Sequence, residues 1–294
     1  MKIAYFDCFS GISGDMCLGA IIDAGVNFEE LKKQLSSLPV EGYELSCENI
    51  KRNGIAAVNV HVNVTQEQPE RHLADIEQII DNSTLPEKVK AASKDVFRSL
   101  ALAEAKIHAT TPDRIHFHEV GAVDAIIDVT GTVLGLHMLG VEKVFVSPLP
   151  MGKGFIKCMH GIIPSPAPAT LELLAGKNII VYGTDAEIEL VTPTGAAIAA
   201  TLCNGCGPLP PLFITWVGYG SGKKEYDRPN LLRLIIGTAA DSENYGECHQ
   251  NCHKYNTEEV QAPNHNHEQG HHDGHNQGHD HGQCSHSNGD GHCS

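Results

Sequence analysis

Aromatic residues make up only 5% of the 294-residue chain, and no stripe of lysine or arginine runs through it. With neither basic surface nor stacking rings in quantity, nothing points to a nucleic-acid partner. The N-terminus, MKIAYFDCFSG, has one lysine and an aspartate already at position 7, so it does not read as a signal peptide. The most apolar run, residues 125–141, contains Asp128 and His137 and is too short to span a bilayer, so no membrane partner is expected. Neither GxGxxG nor the lysine of GxxxxGK[ST] is present, which removes the standard nucleotide loops. Ten cysteines without an export signal argue against a disulfide frame and for reduced thiols, hence for the cytoplasm.

Apolar residues are also scarce, at 41%, and the reason is local. From Asp241 onward there are nine acidic residues, one lysine and 11 of the 18 histidines, which leaves a net charge of −7 on the first 240 residues. Two regions are therefore expected: a core over 1–240 and a disordered histidine-rich metal-binding tail over 241–294. The tail has no periodic apolar pattern and cannot bury enough surface to order itself. Many neutral imidazoles can still chelate divalent metal. The candidate store comprises Cys248, His249, Cys252, His253, His265, His267, His271, His272, His275, His279 and His281. The plain alternative is a linker of no fixed stoichiometry, which can itself serve as a store.

The core alternates strands with helices. MKIAYFD reads as a strand, 16–25 as a helix after a glycine-rich loop, and 28–38 as a second helix. Residues 43–49 and 54–64 alternate apolar and polar like two strands of a hairpin, with Lys51 and Arg52 in the connection and His61 on a strand face. Helices follow over 72–80 and 86–108, the latter with Val89, Ala92, Val96, Leu100 and Ala103 on one face. The run 148–168 holds five prolines and three glycines and reads as a long shaped loop. Thr192 or Thr194 can cap a helix that begins near Pro193. Cys203-Asn-Gly-Cys206 reads as plain thiols in a turn, and the stretch from Trp216 as a glycine-rich turn before a last strand. The fold class expected is α/β or α+β, a mixed sheet with flanking helices.

The stretch that carries most chemistry is RIHFHEVGAVD, residues 114–124. If it is extended, side-chain alternation puts His116 and His118 on one face and Glu119 on the other. Gly121 lets the chain turn, and a helix begins near Asp124, with Asp128 one turn further on. Imidazole suits Ni, Zn, Cu and Fe, and a carboxylate completes many such sites. The plain alternative is a surface strand with solvated histidines. Asp7, at the C-terminal end of the first strand, stands where α/β sheets gather active sites, and His160, two residues after Cys158, is a further candidate ligand. Ser10, Gly14 and Asp15 form one small-residue helix start, and Thr192, Thr194 and Gly195 another. Both are suited to anions, as is Lys153 between two glycines. For Asp15 the simpler reading is a helix cap, and for Lys153 an ordered surface loop.

Five segments in order resemble the LarC family of nickel insertion proteins: DCFSGISGDM (7–16), HFHEVGAVD (116–124), HGIIPSPAPATLELL (160–174), ELVTPTGAA (189–197) and GYGSGKKEYDRPNLLR (218–233). The resemblance implies insertion of Ni(II) into pyridinium-3,5-bisthiocarboxylic acid mononucleotide, the metal ending on a ring carbon and two sulfurs. It also implies a reaction that uses CTP with Mg(II) or Mn(II). Family members continue past the histidine-rich stretch into a second module associated with CTP use, so a separate polypeptide or an alternative reading frame is expected to supply it. Other expected partners are a nickel-pincer-dependent enzyme and a second copy of this chain. A base must take the ring proton as the nickel–carbon bond forms, and Glu119 and Asp124 are the candidates by type and location. The competing readings are a nickel storage protein without catalysis of its own and a metal-dependent hydrolase. The hydrolase is disfavoured, because about 180 residues after His116 fall short of the roughly 250 of a full barrel.

Overall fold

The computed structural model describes residues 1–115, 117, 122–159 and 161–240. Strand β1 (Lys2–Asp7) is followed by helices α1 (Gly14–Asp23) and α2 (Phe28–Leu35), the latter capped by Asn27, whose Oδ1 accepts the Glu30 N–H at 3.0 Å. Strands β2 (Tyr43–Arg52) and β3 (Ile55–Val64) form the expected antiparallel hairpin. Its turn is Asn53-Gly54, both with positive φ (48° and 83°), the geometry that matches the right-handed twist of the strands. Lys51 and Arg52 therefore end β2 instead of forming the connection. Helices α3 (Leu73–Asp81), α4 (Glu87–Ile107) and α5 (Val123–Met138) come next, and α4 buries Val89, Val96, Leu100 and Ala103 as its periodicity predicts.

The remaining elements are β4 (Lys143–Val146), β5 (Leu149–Met151), β6 (Phe155–Cys158), β7 (Gly161–Pro164), α6 (Pro168–Leu174), β8 (Val181–Gly183), α7 (Pro193–Leu202), β9 (Cys203–Cys206), β10 (Leu212–Ser221) and β11 (Leu231–Ala239). The main sheet is mixed, with order β2-β3-β10-β11-β1-β4-β9; β1 lies between antiparallel β11 and parallel β4. Buried on both sides, β1 has a near-continuous apolar run. Among the described residues, no helix is long and apolar enough to cross a membrane.

Three expectations for loops and turns are corrected. The stretch after β4 is not one loop: β5 pairs with β8, and β6 with β7, because its prolines fall at strand ends and edges where no ladder N–H is needed. Cys203 to Cys206 is an edge strand, β9, parallel to β4. Gly218 and Gly220 lie within β10, and their role is close packing. A Cβ at Gly218 would stand 2.1 Å from the Ala20 carbonyl oxygen, and one at Gly220 1.8 Å from that of Met16. Only glycine lets α1 lie this close across β10.

Helix α1 packs on β3, β10 and β11; α5 and α7 contact it, and α4 packs on both of these. The core lies between the helices and one sheet face, built from Ala4 and Phe6, Leu232, Leu234 and Ile236, Val58 and Val60, and Val144 and Val146. Alternation sends Tyr5, Asp7 and Arg233 to the opposite face.

Candidate functional site

The site is organised by a short parallel zipper. After β1 the chain turns, the Gly11 N–H bonding the Cys8 carbonyl at 2.9 Å. Ile12 then pairs with Val191: its N–H meets the Leu190 carbonyl at 2.9 Å, and its carbonyl accepts the Thr192 N–H at 3.1 Å. Gly11 has φ +99°, and a Cβ there would stand 1.9 Å from the Leu190 oxygen, so the zipper needs glycine twice over. The N-termini of α1 and α7 are thereby set beside each other. Thr192 caps α7, its Oγ1 accepting the Gly195 N–H at 3.1 Å, as its place before Pro193 predicts. Gly195 brings α7 against the zipper, since a Cβ would lie 2.2 Å from the Ile12 oxygen.

The start of α5 completes the group. Asp124 and Asp128 are four apart, on one helix face. Gly14, in the first turn of α1, makes room for the second: a Cβ there would sit 2.7 Å from the Asp128 Cβ and 2.8 Å from its Oδ2. The result is a cleft of about 240 Å³ lined by Ser13, Gly14, Asp15, Asp124, Asp128, Glu189, Thr192, Thr194 and Lys223.

Its electrostatics are lopsided. Asp15 Oδ1 accepts its neighbour's Met16 N–H at 2.9 Å and the Ser13 hydroxyl, and Lys223 Nζ stands 3.6 Å from Asp15 Oδ2. Asp124 Oδ1 accepts the Ala125 N–H at 2.9 Å. Asp128 is different. The residue keeps some exposure, but its Oδ1 is shielded from solvent and has no hydrogen-bond partner. Burial first, then the charges of Asp15 and Asp124, push its carboxyl well above the usual carboxylate range, with Lys223 opposing.

Of the residues expected from sequence, Gly14, Asp15, Asp124, Thr192 and Thr194 meet at this cleft, with Gly195 packed behind it. Three others do not line it. Asp7 lies on the sheet face away from the helices and pairs directly across the ladder with Arg233, whose Nε donates to Oδ2 at 2.9 Å. Ser10 is buried, its Oγ accepting the Tyr226 hydroxyl at 3.0 Å. Lys153 pairs on the surface with Asp185 at 3.1 Å. His116, His118, Glu119, His160 and the tail cysteines and histidines lie outside the described residues. Among the described residues, no three His, Cys, Asp or Glu side chains form a ready metal-binding group. The structure adds Ser13, Glu189 and Lys223, and brings Asp128 in beside Asp124. Asp128 has a signal in its spacing from Asp124, whereas nothing local ties Lys223 to Asp15.

A family model described as nickel insertion protein matches residues 4–266. A pyridinium-3,5-bisthiocarboxylic acid mononucleotide nickel insertion protein from Desulfitobacterium hafniense (strain DSM 10664 / DCB-2) is 52% identical over 243 residues, 83% of this chain and 60% of that protein. One of the same name from Acetivibrio thermocellus is 45% identical over 252 residues, 83% of this chain and 62% of its own length. The chain thus spans about 60% of the length of the curated relatives it matches. No solved structure matches it.

Proposed function

The chain belongs to the nickel insertion protein family, and on that footing we propose that it acts in inserting Ni(II) into pyridinium-3,5-bisthiocarboxylic acid mononucleotide. The observation that carries this reading is the convergence of three helix starts, α1, α5 and α7, on one cleft. Backbone N–H groups at paired helix N-termini suit the phosphate of a mononucleotide, with Thr192, Thr194 and Lys223 beside them. Nickel is cargo in this reaction. His116 and His118 present it, eight and six positions ahead of Asp124 in the chain. Imidazole is a suitable resting donor, and the thiocarboxylate sulfurs of the substrate take the metal from it. As nickel bonds the ring carbon, the carbon–hydrogen bond breaks and its electron pair passes to nickel, which stays Ni(II). The proton goes to a carboxylate, Glu119 or Asp124.

The names of the relatives support nickel and the mononucleotide. CTP with Mg(II) or Mn(II), the separate C-terminal module, a nickel-pincer-dependent acceptor enzyme, self-association and a cytoplasmic location are further parts of the proposal. The histidine-rich stretch keeps nickel near the core by tethering, which raises its effective concentration. A storage role without catalysis is favoured by one observation, the nine histidines between residues 265 and 292.

Calorimetry with Ni(II), with and without the mononucleotide, on the full chain and on residues 1–240 tests the assignment. The core is expected to hold about one nickel that His116→Ala abolishes, and to yield the nickel–carbon product by mass spectrometry when CTP and the proposed C-terminal module are supplied. If all nickel leaves with residues 241–294 and no product forms, the storage reading stands instead.

A further inference from the structure

The seven-stranded sheet has two edges, and they are built differently. At one end, β9 is four residues long and its register with β4 shifts between Val144 and Phe145. A short, irregular strand offers little for another strand to pair with. At the other end stands β2. It runs for ten residues, its sequence YELSCENIKR holds no proline or glycine, and it pairs with β3 residue for residue without a break. Among the described residues, no strand pairs with its outer side, and no backbone group outside the hairpin bonds to residues 43–52. One bond shows which groups face outward. The Thr65 N–H meets the Gly42 carbonyl at 2.8 Å, one step beyond the pair Tyr43–Val64, so the even-numbered residues of β2 bond toward β3. Hydrogen-bonded and non-hydrogen-bonded pairs alternate along an antiparallel ladder. Tyr43, Leu45, Cys47, Asn49 and Lys51 therefore turn their N–H and C=O groups away from β3, as a template for another strand.

We propose that β2 is the interface of a two-fold homodimer, pairing antiparallel with β2 of a second copy so that one sheet runs through both chains. A second copy is the fitting occupant because the strand is complementary to itself in one register. A two-fold axis normal to the sheet keeps each face on its own side. Opposite residues then share a face, and the register can slip only in steps of two. With Cys47 on the axis, Tyr43 meets the partner's Lys51, Leu45 the partner's Asn49, Ser46 the partner's Glu48 and Glu44 the partner's Ile50. No like charges stand opposite each other. One step in either direction spoils this, setting Glu48 against the partner's Glu48, or Glu44 against the partner's Glu48 twice over. Like charges directly opposite are destabilising. Larger slips shorten the ladder.

In the favoured register each Lys51 ammonium lies by the ring of a Tyr43, a cation–π pairing made twice by symmetry. The overlap of residues 43–51 supplies about ten backbone hydrogen bonds between the chains. Such an interface is isologous, so it closes on two copies and leaves no further edge of its own kind. The proposal rests on the self-association set out above, to which it gives a surface, and not on the nickel chemistry.

Sedimentation equilibrium on the full chain tests it, with EDTA present so that the histidine-rich stretch cannot bridge copies through metal. Wild type is expected to be a dimer at micromolar concentration. Asn49→Pro removes an outward N–H and spares the β2–β3 ladder, a place where an edge strand tolerates proline. It should weaken the dimer about tenfold or more, with near-ultraviolet circular dichroism unchanged. Ser46, which is exposed, supplies a reversal of sign. Ser46→Glu faces the partner's Glu48 and should weaken association several-fold, whereas Ser46→Lys should tighten it by a similar factor. Diamide should join two copies through Cys47, since opposite Cα atoms of a hydrogen-bonded pair stand about 5.5 Å apart, within disulfide reach. Peptide mass spectrometry identifies the bond. A monomeric wild type overturns the proposal, and so does an oxidised dimer joined only through other cysteines. A dimer indifferent to Asn49→Pro and to both Ser46 variants also overturns it, and would place self-association on another surface. If Asn49→Pro does not fold, the Ser46 pair and the Cys47 crosslink decide. Nickel takes no part in these measurements, so a failure of nickel insertion counts against the function proposed above and leaves this interface standing.

Discussion

Asp7 and Asp128 are both half-buried aspartates on central elements, and they end in opposite electrostatic situations. Asp7 leaves β1 on the sheet face away from the helices, where the ladder puts Arg233 directly opposite. The guanidinium donates to it through Nε and Nη2, lies 5.8 Å from the Phe9 ring centre, and has its own pKa pushed up by the hydrogen bond to Asp7. Asp128 leaves α5 on the helix side, against Gly14, with two other carboxylates near and no donor on Oδ1. A charge answered by its neighbours holds structure together. One left unanswered in a cleft favours the protonated carboxyl instead.

The largest way to break this contrast is to remove the frame of the cleft. Gly11→Ala puts a methyl group 1.9 Å from the Leu190 oxygen at a φ of +99°. A loss of about 3 kcal/mol or more is expected in urea unfolding, from overpacking and left-handed backbone strain together. A smaller loss tests the answered charge. Arg233→Ala should cost ~1–2 kcal/mol, discounted because the arginine side chain is 41% exposed and solvent screens the pair. Asp7→Asn should do no worse.

The unanswered charge predicts the opposite sign. Asp128 has a folded pKa above its unfolded value near 3.9. Between those two values the folded chain holds a proton that the unfolded chain has lost. The stability this brings is full below about pH 3.9 and is lost as pH rises through the folded pKa. At neutral pH with metal chelated, Asp128→Asn should therefore stabilise the protein, on the order of 1 kcal/mol or ~2–4 °C in Tm. Its stability should also fall less between pH 4 and pH 8 than that of wild type. A destabilised Asp128→Asn in chelator would place Asp128 with Asp7, as a structural charge. The smallest effect belongs to a pair that is answered but solvated. Lys153→Ala should change stability by less than ~0.5 kcal/mol, since Asp185 is 98% exposed and the pair lies in water. A large loss there would show that exposure does not separate these classes.

Much of the fold was legible in short-range pattern. Alternation announced β2 and β3, the spacing of Val89, Val96, Leu100 and Ala103 announced α4, and Thr192-Pro193 announced the start of α7. Half of the cleft was legible in the same way, because Gly14, Asp15, Asp124 and Thr192 stand at helix starts. Glycine was the main source of error. In 218 and 220 it signalled a turn, while its use is to admit α1 to within van der Waals reach of β10. Cys203 and Cys206 were read as a turn, since four residues of edge strand carry too short a pattern to see. Among the described residues, the meeting of Lys223 with Asp15 has no local trace at all.

What the sequence by itself determined is the inventory: which segments become helices and strands, where helices begin, and that residues 241–294 gather most of the histidine. Those properties come from neighbours within a few positions, so periodicity, caps and composition report them. Only the tertiary structure decided which carboxylates are answered. That choice turned on strand parity, which sent Asp7 to the far face toward Arg233. It turned also on the Ile12–Val191 zipper, which brought α1 and α7 together over Asp128. Coulomb energy depends on distance in space, and Asp7 and Arg233, like Asp15 and Asp128, lie more than a hundred residues apart in the chain.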